Sequence, residues 1–311
     1  MNIFITGIAG FIGSSIAKEL IKKNFSIYGI DNLFSGNKKN ISDKINWKKI
    51  DIRKKKILNS IPGKFDIIIH TAAQTSGEKS YKIKSYNDEA NIIGSKNVFN
   101  FALKSKAKLM INLSSMSVYG PVKKKAIINE GKKLNPISPY GKSKMYAEKI
   151  LNQLSKKKNL PIINLRLFSV YGPGQNLFEL KQGIVSIYLY YLLYKNFFLI
   201  KGSLGRVRDL IYIDDVVKAI ILIIKRKKFE SGTFNISTGK TTSVKKLIGL
   251  MQSILKKKMK INLGRSTKGD IQGFGGKISK FSKKYKWKPK INLSKGLSLM
   301  INDYKLKKTT L

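Results

Sequence analysis

A chain of 311 residues suffices for one large domain or two ordinary ones. Hydrophobic residues at 42% and charged residues at 25% mark a globular protein and exclude a disordered one. With no cysteine and one histidine, His70, the chain cannot carry disulfides, thiolate metal sites, a cysteine nucleophile or a multi-histidine metal site, and a Ser-His-Asp triad is disfavoured. The formal net charge is +45, which raises the question of a nucleic-acid or anionic-surface partner. The lysines are scattered in short groups, at 54–56, 123–125, 156–158 and 256–258, with no aromatic residues interleaved to make a stacking platform. A general lysine bias explains this better than a dedicated face, so no nucleic-acid partner is expected.

In chain order, residues 3–6 are apolar and β-prone, and with a strand starting there no signal peptide is expected. Glycines follow, then a helical stretch at 14–22. Residues 27–30 read as a second strand ending at Asp31, and 66–70 as another, with three consecutive isoleucines. Residues 91–103 are helical in pattern, 109–113 a strand, 140–154 a helix and 162–167 a strand. The apolar run Ile184–Tyr194 falls well short of the ~20 residues a membrane span needs. It predicts a buried helix, and no membrane partner. Residues 209–213 and 234–236 read as later strands, and 305–311 as a frayed tail. Alternating strands and helices imply a parallel sheet covered on both faces. The fold class is therefore α/β, a Rossmann-like doubly wound parallel sheet with a smaller α+β lobe. Residues 1–170 plus 208–238 would form the dinucleotide domain, and 171–207 plus 239–311 the substrate lobe.

Gly7, Gly10 and Gly13 punctuate the turn between the first strand and the first helix. Glycines let the backbone turn tightly and approach a pyrophosphate, and the helix N-terminus supplies amide donors. Asp31, at the end of the second strand, would accept hydrogen bonds from both ribose hydroxyls and repel a 2′-phosphate, which favours NAD over NADP. Asp51 and Ile52 would contact adenine. His70 reads as structural, since the small residues Ala72 and Ala73 after it matter more for close cofactor approach. Asp214 and Asp215 precede a helical stretch and read as structural caps.

Tyr140 and Lys144 are spaced to share one helix face, one turn apart. A free tyrosine, with a pKa of roughly 10, is a poor base at neutral pH. A nearby ammonium would lower it, making the pair a proton shuttle for an alcohol becoming a ketone.

With these residues in place the chain resembles the extended short-chain dehydrogenase/reductase family, in its nucleotide-sugar epimerase/dehydratase branch. The matching residues run from the 6–13 turn through Asp31-Asn32, Asp51-Ile52, residues 70–74, Asn91, residues 114–120 and residues 140–144. They continue through residues 165–175, Arg208-Asp209, residues 212–216 and 287–289. The resemblance implies a catalytic set of Ser115, Tyr140 and Lys144, with Ser115 on the reacting oxygen and Lys144 on the nicotinamide ribose. It also places Phe11, Ile12, Asn32, Gln74, Asn91, Ser114, Phe168 and Val170 at NAD. Arg208 would pair with a nucleotide-sugar diphosphate, with Gln175, Ser169 and Arg265 as further substrate contacts and Phe274 gating hexose size. The family's usual phosphate arginine falls at Thr267, Ser169 stands where asparagine is common, and Gly276-Lys277 replaces the usual Ala-Asp.

After Ser115 the dehydratases of this family carry an Asp-Glu pair, and the decarboxylases a glutamate before Val-Tyr-Gly; here Met116 and Ser117 stand instead. The resemblance thus implies a UDP-hexose 4-epimerase acting through a 4-keto sugar, cytoplasmic, homodimeric and serving surface-polysaccharide synthesis. Another nucleotide-sugar epimerase or reductase is the enzymatic alternative. A basic RNA- or membrane-binding protein on the same fold is the non-enzymatic one. No metal is expected.

Overall fold

Three consecutive isoleucines, Ile67, Ile68 and Ile69, are each fully buried, which a strand achieves only when both its faces are covered. They lie in the middle of a sheet of seven parallel strands. The strands are β1 (Asn2–Thr6), β2 (Ser26–Asp31), β3 (Asn46–Lys49), β4 (Ile67–His70), β5 (Leu109–Ser115), β6 (Ile162–Leu167) and β7 (Gly232–Ile236). Their order is β7-β6-β5-β4-β1-β2-β3. The computed structural model describes residues 1–122 and 126–309. The lysine group at 123–125 and residues 310–311 of the expected tail lie outside the described residues.

Period-two alternation splits the strands between two cores. Ile3, Ile5, Ile67 and Ile69 join one cluster with Ile16 and Leu20 of helix α1 (Phe11–Ile21). Phe4 and Ile68 join the other, with Val98 and Phe101 of α2 (Gly94–Lys104) and Leu151 of α3 (Pro139–Lys158). Helix α4 (Ile184–Tyr194) buries Val185, Tyr188, Leu189 and Leu192, as the sequence predicts. Among the described residues no helix is long and apolar enough to cross a membrane.

Two elements differ from expectation. Strand β3 has little apolar signal, because this edge strand buries only Trp47 in part. The expected strand at 209–213 is real over Leu210–Tyr212 but does not join the large sheet. It pairs instead with Ser169–Tyr171, beyond the end of β6. A chain segment that leaves the sheet in this way walls a cleft at the strand ends.

Asp215 is structural, as expected, but it does not cap its own helix α5 (Ile213–Ile224), whose cap residue is Tyr212. Its fully buried carboxylate accepts the amides of Lys290 at 3.0 Å and Ile291 at 2.9 Å. Its carbonyl accepts Trp287 Nε1 at 3.2 Å, so one residue anchors the C-terminal segment ahead of helix α6 (Leu293–Thr309). Asp215→Ala leaves two amides without their charged acceptor and should destabilise the protein by about 2–4 kcal/mol in urea unfolding. Asp214→Ala, whose residue makes no such bond, should cost well under half of that.

Candidate active site

The carboxyl ends of parallel strands are where such a sheet opens a crevice. Thr6, Asp31, His70 and Ser115 all close their strands there. Between β1 and α1 the backbone is held too close for side chains. A Cβ on Gly13 would lie 2.1 Å from the Gly7 carbonyl oxygen, and Gly7 has φ +73°. Helix α1 then starts at Gly10 with no side-chain cap, which leaves its first amides for an anion. Asp31 accepts the amide of Ala9, inside the turn, at 3.0 Å, and that of Leu33 at 2.8 Å. Burial raises its carboxyl pKa against those bonds. Asn32 donates to Asp51 at 3.1 Å. Burial works to raise the Asp51 pKa, but hydrogen bonds from Arg53 outweigh it and hold the carboxyl below its usual range. The Ile52 side chain packs in the core, while its carbonyl accepts Asn97. The residues around Gly7, Asp31 and Asp51 thus form one connected edge, fit to hold a dinucleotide.

That edge leads into a cavity of about 740 Å³ whose wall includes Phe11, Ile12, Ala73, Ser115, Tyr140 and Lys144. Ser138 caps α3 by accepting the Gly141 amide at 3.0 Å, and Pro139 supplies the first helical residue. This start sets Tyr140 and Lys144 over the end of β5. Lys144 is buried and donates its Nζ to the Leu113 carbonyl at 2.8 Å. Burial pulls its pKa down to about 8, against the attraction of Glu148. The expected lowering of Tyr140 by Lys144 is not what the chain provides. Burial raises the phenol, and a hydrogen bond with Ser115 only partly offsets that. Ser115 also takes the Ser117 amide at 3.2 Å.

Asn91 stands apart from the cavity. It lies in a π-helical turn, Glu89–Ile93, and is almost fully buried. It accepts the Gln74 amide at 2.8 Å and donates to the Gln74 carbonyl and to Ser143 Oγ. It therefore ties the loop after β4 to α3. Its polar atoms are engaged with protein, so its geometry is that of a brace. Gln74 Oε1 and Gln175 Oε1 are buried without a hydrogen-bond partner, and Gln175 lines the cavity.

Ser114, Phe168, Ser169, Val170 and Arg208 line the cavity too. Ala72 does not line it, and its amide bonds Thr6 Oγ1 at 3.2 Å. Two expected substrate contacts are not brought to it. Arg265 is exposed and outside the lining. Phe274 is fully buried, edge-on to Tyr119 and Phe168 in a separate apolar cluster, so it cannot gate the cavity directly. Arg206, not anticipated, is buried and takes a place in the wall. It forms an ion pair with Asp270, which also accepts Arg208 Nη2 at 2.7 Å. The signal was in the sequence, since residues two apart in extended chain share a face. Asp209 does not pair with Arg208. Its fully buried carboxylate accepts Thr238 and the amides of Gly239 and Gly276.

The profile of the NAD dependent epimerase/dehydratase family matches residues 3–237. The chain belongs to this family. It is 31% identical over 302 residues to a putative UDP-glucose 4-epimerase of Methanocaldococcus jannaschii, covering 96% of this chain and 97% of that one. It also resembles the crystal structure of a Thermotoga maritima UDP-glucose 4-epimerase with UDP-glucose, at 31% identity and a TM-score of 0.93, over 99% of this chain and 100% of the other. A UDP-glucuronic acid 4-epimerase variant from Bacillus cereus, solved with NAD and a fluorinated UDP-glucuronic acid, is similar at 27% identity and a TM-score of 0.89, over 99% and 100%.

His70 lies beneath the site and is structural. Ser95 spends its hydroxyl proton on the Asn91 carbonyl at 2.6 Å, so its oxygen must accept from His70 Nε2 at 3.0 Å. The other nitrogen then accepts from Thr6 Oγ1 at 2.7 Å. Burial first, and the Lys144 charge second, push the pKa of this ring down to about 3. The folded value lies below the unfolded one, so its stabilisation is complete above pH ~6.5 and is lost as pH falls toward ~3. His70→Gln should flatten the fall of unfolding free energy between pH 6 and pH 4 by up to about 1.4 kcal/mol per pH unit. An unchanged slope in paired urea titrations would show that folding does not hold the ring neutral.

Proposed function

We propose that this protein is an NAD-dependent UDP-hexose 4-epimerase that acts through a 4-keto sugar. One observation carries the reading: Ser115, Tyr140 and Lys144 open on the same cavity as the paired arginines Arg206 and Arg208. Hydroxyl chemistry and anion recognition thus share one space, as a nucleotide sugar requires. The uncapped start of α1 would hold the pyrophosphate of NAD, and Asp31 its adenosine ribose. Asn32, Asp51 and Ile52 would lie toward adenine, and Lys144 toward the nicotinamide ribose. When bound, NAD supplies a hydride acceptor for sugar C4 and a positive charge beside Tyr140.

The residues divide the work. Tyr140 Oη exchanges the proton of the sugar 4-hydroxyl, and Ser115 Oγ holds that oxygen in line. Lys144 is fixed from below by the Leu113 carbonyl, so its charge stays put while the proton moves. Arg206 and Arg208 would bind the diphosphate, with Asp270 orienting both guanidinium groups. Gln175 Oε1 would accept a sugar hydroxyl. Met116 and Ser117 put no carboxylate directly after Ser115, which disfavours elimination of water.

The finer placement follows the same reading. We assign 171–207 plus 239–311 to a substrate lobe, supported by their share of the cavity wall. We assign a homodimer formed through α2 and α3, supported by exposed Ile93 and Tyr146 beside and on those helices. A cytoplasmic role in surface-polysaccharide synthesis is in keeping with a chain without cysteine.

A panel of sugar nucleotides should show interconversion of UDP-glucose and UDP-galactose, with NAD released on denaturation. Tyr140→Phe should retain NAD and lower kcat by about 10²–10⁴-fold. Unchanged turnover would remove Tyr140 from the mechanism. A protein without nucleotide that binds RNA in a salt-sensitive way would overturn the enzymatic reading altogether.

A further inference from the structure

Helix α3 meets the sheet through a seam of polar groups. Tyr140, Lys144, Glu148 and Asn152 recur every four residues and so share one face. Lys144 bonds the Leu113 carbonyl at 2.8 Å. Glu148 accepts the Ser114 hydroxyl, and it receives Arg166 through Nε at 3.0 Å and Nη2 at 2.7 Å. Asn152 accepts Asn164 at 2.8 Å, which in turn accepts Asn112 at 2.7 Å. Ser114 pairs with Arg166 across β5 and β6, and Ser115 with Leu167 one step on. The seam therefore runs directly into the cavity.

Glu148 and Arg166 are both almost fully buried. A buried ion pair contributes little net stability, since desolvation cancels most of the attraction. Apolar residues of similar size would hold α3 to the sheet as well. What they could not do is fix its height. Arg166 is itself immobilised, by Tyr119 Oη and the Glu130 carbonyl, both at 3.1 Å, and by the Tyr119 ring face at 4.9 Å. Glu148 thus meets a rigid fork on one side and the neighbour of Ser115 on the other.

We propose that Glu148 is a positioning residue of the reaction. Through Ser114 and Arg166 it sets the height of α3, and so of Tyr140, over Ser115, and its carboxylate is the countercharge that keeps Lys144 an ammonium. The proposal rests on the epimerase reading above. Around Lys144, β4 contributes the neutral ring of His70, β5 the Leu113 carbonyl, and β6 the Arg166 guanidinium that Glu148 holds. Glu148 is the one anion that faces it among the described residues.

The test uses the full-length protein with its nucleotide. Two readouts are followed: the pH profile of kcat, and the titration of the lysine Cε resonance near pH 8, assigned by its loss in Lys144→Arg. Removing the anion disfavours the ammonium. In Glu148→Gln both the resonance midpoint and the alkaline limb of kcat should move down by about one pH unit. Glu148→Asp keeps the charge but cannot span both partners. It should lose about 10- to 100-fold in kcat, with KM and the alkaline limb near wild type. If Glu148→Gln fails to fold, Ser114→Ala carries the positional arm, with lower kcat and an unmoved lysine titration. An unmoved lysine titration in Glu148→Gln, or full kcat in Glu148→Asp, would overturn the proposal. A wild-type protein without epimerase activity would overturn the function instead, and the resonance would still judge Glu148.

Discussion

The site depends on burying the ammonium of Lys144. An ion taken out of water costs several kcal/mol unless it is bonded and counterbalanced. The Leu113 carbonyl and Glu148 provide those two things, from the strand below and from one turn along the same helix. His70 has to remain neutral for the same reason, and the bonds with Thr6 and Ser95 fix its proton on the far nitrogen. A charged ring there would face Lys144 in a buried, weakly screening interior. Several groups that look merely structural are thus set by one charge.

The parallel sheet makes this arrangement possible. A strand covered on both faces is apolar through most of its length, and its polar groups must either pair, as Asn112 and Asn164 do, or lie at its ends. Thr6, Asp31, His70 and Ser115 each occupy such an end. Glycine at 7 and 13 then lets the first turn pass beneath a ligand without side chains in the way. The residues that leave the sheet after β6 close the cavity from the other side, with Ser169 at the crossing.

Features encoded locally were legible in the sequence. The isoleucine strands, the glycine turn and the Tyr140/Lys144 spacing all announce themselves within a few residues. Features that depend on packing were not. Phe274 shows a bulky residue near a substrate position, but only the fold reveals that Tyr119 and Phe168 enclose it. Arg265 and Arg206 look equivalent along the chain, and only one is turned into the wall. The tyrosine pKa misleads for the same reason. Spacing suggests that Lys144 should lower it, whereas the depth of the pocket raises it.

The +45 charge becomes intelligible once the few carboxylates are located. Asp31, Asp209 and Asp215 accept backbone amides and hold loops in place. Glu148 holds Arg166, and Asp270 orients Arg206 and Arg208 in the cavity wall. Four of the 17 acidic residues, Asp31, Glu148, Asp209 and Asp215, are buried and engaged in this way. Lysines spread over a surface interact mainly with water and salt, whose screening length is about 8 Å at physiological strength. Such a surface can be strongly biased at little cost to the fold. The interior cannot, because replacing Asp209 or Asp215 would strand buried amides. The net charge therefore records which positions tolerate lysine, and it need not imply a polyanionic partner.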